Sequence, residues 1–91
     1  MLTNMEIKKI CMDAQLNHGG DNYPVYKFKV TQTAKKINIY WEYLDGQKWT
    51  INKENLIVHN EHDDFMNEYF DFNETLEDVI FCSVYYMVTR Y

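Results

Sequence analysis

Between residues 61 and 91 the chain has no lysine and a single arginine, Arg90, against eight carboxylates. Neutralising a phosphate backbone takes lysine and arginine, so nucleic-acid binding through this third is disfavoured. Cysteine is nearly as scarce. Cys11 and Cys82 are the only two, where a small secreted domain usually carries four or more in a disulfide framework. One proline and three glycines leave no linker or low-complexity run. Long apolar runs are missing too. The start, MLTNMEIKKICMDAQLN, is amphipathic and broken by charges, unlike a signal peptide or a membrane span. A cytoplasmic protein with reduced thiols, and no membrane partner, is the expectation.

What is present describes a globule. With 46% hydrophobic and 25% charged residues, the composition is that of a folded domain rather than a disordered chain. Ninety-one residues make a single domain, 1–91, burying roughly 60–65% of the surface the unfolded chain exposes. Fifteen aromatic residues, eight of them tyrosine, are a heavy load, and some rings are expected at the surface. The polar residues lean to asparagine and lysine, codons of an AT-rich genome such as a low-GC bacterium, its phage or a plasmid. Charge is divided unevenly: residues 1–60 hold eight lysines and six acids, a balance of +2, and residues 61–91 a balance of −7. Such a split concerns partners rather than fold. In linear order the lysines are interspersed with acids, so no basic stripe stands out and no direct nucleic-acid binding is expected.

Periodicity orders the elements. Thr3 and Glu6 match a capping box; Ile7, Ile10, Cys11 and Ala14 then recur at helical spacing over about residues 4–17. Asn17-His18-Gly19-Gly20 is expected to stop this helix through a left-handed cap. The period then falls to two. Tyr26, Phe28 and Val30 make one strand, and Ile37, Ile39, Trp41 and Tyr43 a second. A tight Asp45-Gly46 turn leads to a third with Trp49 and Ile51. Asn52 to Asn55 reads as a turn, and Leu56 to Val58 as a short fourth strand or a continuation. Asp63 to Phe70 is expected to form a short helix. Leu76, Val79, Ile80, Val84, Met87, Val88 and Tyr91 fit a final helical stripe capped by Asn73 or Thr75, with a strand over 79–88 as the alternative. The expected class is α+β: an N-terminal helix, then three or four antiparallel strands. One or two C-terminal helices pack on that sheet.

Candidate chemistry is sparse. His59, His62 and Asp63 are metal-ligand types at short spacing, but no distant cysteine or histidine is spaced to complete a site. Cys11 with His18 would be a thiol–base pair if the thiol were activated, yet Cys11 lies in the apolar stripe, where a structural cysteine is the ordinary outcome. No catalytic residue and no cofactor is assigned. The pattern with most content is the acidic run itself, in which Glu61, Asp63, Asp64, Glu68, Asp71, Glu74, Glu77 and Asp78 alternate with Phe65 and Tyr69, while Phe81 and Tyr85 lie beside Glu77 and Asp78 on the last helix. Acids that steer a basic partner, next to rings that anchor it, are the parts of a protein interface. The competing readings are a small metal- or thiol-dependent enzyme and a self-associating structural protein.

In size, α-β-β-β-α order, acidity and codon usage the chain resembles the phage-encoded DNA-mimic inhibitors, including some anti-CRISPR proteins. The resemblance implies an inhibitor whose carboxylates occupy the basic groove of a nucleic-acid-binding protein or nuclease, such as a CRISPR effector. Lysines 27, 29, 35 and 36 depart from the more uniformly acidic members, and no sequence motif transfers residue roles.

Overall fold

The structure is a computed structural model, and it describes residues 2–19, 27–42, 46–60 and 75–90. Helix α1 spans Asn4–Gly19. The amide of Thr3 donates to Glu6 Oε1 at 3.1 Å and the amide of Glu6 donates to Thr3 Oγ1 at 3.1 Å, so the capping box forms as its residue types require. The Thr3 amide also holds the Glu6 carboxyl below its ordinary value. Ile7, Cys11 and Ala14 are fully buried. Asn17, His18 and Gly19 remain helical, so the helix outruns its expected end at residue 17, and any left-handed stop falls beyond the described residues.

Four antiparallel strands follow in spatial order of sequence: β1 (Phe28–Gln32), β2 (Lys36–Trp41), β3 (Gln47–Asn52) and β4 (Val58–His59). Alternation decides which face is dry. Phe28, Val30, Ile37, Ile39, Trp41, Trp49, Ile51 and Val58 are all buried on the inner face, while the residues between them face out.

The β2–β3 connection corrects one expectation. An Asp45-Gly46 two-residue turn in a regular ladder would set Leu44 opposite Gln47. Instead Trp41 faces Gln47, Ile39 faces Trp49 and Ile37 faces Ile51. The reason is parity: side chains alternate, so the tight turn would have paired inward Ile39 with outward Asn52 and buried the wrong face. Gly46 still supplies a left-handed conformation, φ 90°, which its missing Cβ permits.

The β3–β4 turn is held by Asn52, whose side-chain oxygen accepts from the amides of Glu54 at 2.8 Å and Asn55 at 3.2 Å. Leu56 takes a left-handed φ of 60°, which delays the fourth strand to Val58.

Helix α2 spans Leu76–Arg90, so the strand alternative for 79–88 is not adopted. Val79, Ile80, Val84, Met87 and Val88 are buried along one stripe. The helix expected over Asp63–Phe70 lies outside the described residues. Both described helices cover the inner face of the sheet, and two indoles fix where they sit. Trp41 Nε1 on β2 donates to Gln15 Oε1 of α1 at 3.0 Å, and Trp49 Nε1 on β3 donates to Ser83 Oγ of α2 at 3.0 Å. All four residues are buried, so each bond satisfies polar groups that would otherwise be costly to enclose. The architecture is α+β, a helix-covered antiparallel sheet. Among the described residues no helix is long and apolar enough to cross a membrane.

Candidate protein-interaction face

Of the twelve residues expected to meet a partner, four lie on α2. Glu61, Asp63, Asp64, Phe65, Glu68, Tyr69, Asp71 and Glu74 fall outside the described residues. The α2 end of the face starts at its cap. Thr75, rather than Asn73, fills that position: the Asp78 amide donates to Thr75 Oγ1 at 3.2 Å, and Asp78 Oδ2 accepts from the Thr75 hydroxyl at 2.9 Å and amide at 3.3 Å. Asp78 is thus engaged in holding the helix start, while its charge still faces solvent beside exposed Glu77. Both acids sit in the first turn, where the helix dipole favours them.

Glu77, Phe81 and Tyr85 are spaced four apart, which lines them along one edge of the helix. The Phe81 and Tyr85 rings stack with centroids 6.4 Å apart and planes inclined by 13°. Phe81 packs at the margin of the core, and Tyr85 is 43% exposed. This edge flanks the buried stripe, so a half-covered aromatic step runs up from the acids at the helix start. A partner closing over it would bury ring surface already ordered by the helix, limiting the entropy lost on contact.

The other candidates come apart. Cys11 is fully buried, and burial pushes its thiol up to about 12. At neutral pH it is a protonated core residue closed to substrate, which removes the basis of a thiol–base pair with His18. Both cysteines are free thiols. His59 is exposed on β4 and faces outward opposite Thr50; His62 and Asp63 lie outside the described residues. Among the described residues no group of three or more His, Cys, Asp or Glu side chains is placed to hold a metal.

Sequence reasoning missed a second assembly on the opposite side of the molecule. Lysines scattered along the chain are gathered by strand pairing onto the outer sheet face, away from both described helices, where Lys29, Tyr40 and Lys48 fall in one cross-strand row. The alternation of Lys27, Lys29 and Thr31 was the available signal. No protein-family model matches this chain, and the comparisons with curated proteins and with solved structures gave no match.

Proposed function

We propose that this chain is a small acidic interaction or inhibitor protein that binds a basic protein through its C-terminal third. The observation that carries the reading is the stacked Phe81–Tyr85 pair, half-buried and exposed respectively, rising from exposed Glu77 and Asp78 along one edge of α2. It extends a run of eight carboxylates in residues 61–78 that no lysine or arginine interrupts. Carboxylates steer a cationic groove into contact, and ordered rings hold it once water is expelled. The partner class with such a groove is a nucleic-acid-binding protein or nuclease, in which the acids stand in for phosphates; a CRISPR effector is one such protein.

The test is capture of such a partner by the tagged chain from a nuclease-treated lysate of its host, followed by competition. A basic nucleic-acid-binding protein should be retained, be released by added DNA, and dissociate progressively with salt. Two variants locate the face. Replacing Asp63, Asp64 and Glu68 with lysine should abolish retention, and Tyr85→Ala should weaken it, with circular dichroism checking that each variant is folded. Equal retention by the wild type and the charge-reversed variant would sink the proposal.

A further inference from the structure

The outer face of the sheet, which neither described helix covers, holds a groove of about 260 Å³, smaller than the usual drug-sized pocket and suited to one planar ring. Its lining follows the strand register. One row crosses the sheet as Lys29, Tyr40 and Lys48, and the next as Thr31, Asn38, Thr50 and His59. Adjacent strands are about 4.8 Å apart, so the two lysines stand about 10 Å apart with the tyrosine ring between them. Lys29 Nζ lies 5.8 Å from the centre of that ring and 3.3 Å from Glu42 Oε1. Exposed Lys27 and Lys36 belong to the same outward set, and among the described strand residues Glu42 is the facing acid. Glu77 and Asp78 belong to α2, the helix whose Ser83 is bonded to Trp49 on the inner face of the sheet.

We propose that this face is a binding site for single-stranded nucleic acid, in which one base stacks on Tyr40 and the flanking phosphates meet Lys29 and Lys48. A cationic surface with an aromatic ring between its charges is the arrangement that grips single strands, because every base presents a π-face and every linkage an anion. The polar row beside it, where Asn38 Nδ2 donates to Thr31 Oγ1 at 3.2 Å, supplies hydrogen-bonding groups at the edge of the stacked base. An acidic peptide fits less well. Peptides add to sheets along an edge strand through backbone bonds, whereas this groove lies on the face, and a carboxylate gains nothing from the ring. Lys29 changes partner on binding, from Glu42 to a phosphate. This site is independent of the acidic α2 edge and reverses the expectation drawn from the linear order of the lysines.

The experiment is fluorescence anisotropy of labelled thymidine and uridine 12-mers titrated with the full chain at 50 mM salt. A saturable rise is expected with one or both probes. Tyr40→Leu should weaken it by about 5-fold or more, the stacking of one base. The Lys29→Ala, Lys48→Ala double variant should lower the slope of log affinity against log salt by about 1.4, two single-strand phosphate contacts. Glu42→Gln should tighten binding by about 2- to 5-fold, because it releases Lys29 from an exposed ion pair. Circular dichroism midpoints check that each variant is folded. The proposal is overturned by no saturable rise at 50 mM salt, or by affinity that Tyr40→Leu and the double variant leave unchanged. Displacement of the oligonucleotide by polyglutamate at equal potency overturns it as well, marking a general polyanion surface. Concentration-dependent self-association abolished by the double variant overturns it too, since the occupant is then a second copy.

Discussion

Ser83→Ala tests the bond that positions the candidate interaction edge. Ser83 is fully buried; its hydroxyl accepts from Trp49 Nε1 at 3.0 Å and donates to the Ile80 carbonyl at 2.8 Å. Alanine strands the indole N–H in a dry interior, at a cost of about 1–3 kcal/mol. The Ile80 carbonyl keeps its helical partner, and alanine returns about 0.5 kcal/mol of helix propensity. The net loss is about 1.5 kcal/mol, or a midpoint lower by about 6–12 °C for a domain of this size. Urea denaturation followed by far-UV circular dichroism measures it, with Trp49→Phe and the double variant completing a cycle. Phenylalanine has no N–H to orphan, so in that background Ser83→Ala should cost nearly nothing, giving a coupling of about 1–2 kcal/mol. Identical cost in both backgrounds would refute the claim that this bond docks α2 on the sheet. If the coupling is found, Ser83→Ala should also blunt partner capture, because the helix carrying Phe81 and Tyr85 is no longer held at one angle.

Thr75→Ala should destabilise by about 1 kcal/mol through loss of the α2 cap, with Thr75→Ser restoring most of it, read from thermal midpoints. Cys11 has a folded-state pKa raised to about 12 by burial, above the unfolded value of about 8.5. Its contribution is therefore complete below about pH 8.5 and is lost as pH rises toward 12, at up to about 1.4 kcal/mol per pH unit. Urea midpoints between pH 8 and 10 should fall less steeply in Cys11→Ala than in the wild type; parallel slopes would contradict the assignment. Gly46→Ala should cost about 1–2 kcal/mol, since φ is 90° there and left-handed backbone disfavours a Cβ. That Cβ would also overlap the Tyr40 ring and hydroxyl, so a shift in tyrosine near-UV signal should accompany the lower midpoint.

The sequence by itself determined whatever depends on neighbours along the chain. The Thr3–Glu6 cap, the apolar stripe of α2 and the inward set of each strand are local matters of spacing, and each formed on the described residues that its period selects, Tyr26, Tyr43 and Tyr91 lying outside them. Parity even contained the β2–β3 register: Ile37, Ile39, Trp49 and Ile51 are all odd-numbered, and only a connection that pairs odd with odd buries them together. The strong local signal of Asp-Gly pulled toward a tight turn, and burial of two tryptophans overrode it. The left-handed Leu56 was not legible, because nothing in its side chain favours that conformation.

Partnerships across the chain belong to the tertiary structure alone. Periodicity says that Trp41 and Trp49 face inward, but only packing decides that Gln15 meets one and Ser83 the other, 26 and 34 residues away. The same holds for charge. Read in order, Lys29, Glu42 and Lys48 are scattered residues among acids; hydrogen bonding between strands sets Lys29 and Lys48 on either side of Tyr40. The acidic run stayed visible in the sequence because its members are contiguous. The basic face did not, because its members become neighbours only through the sheet.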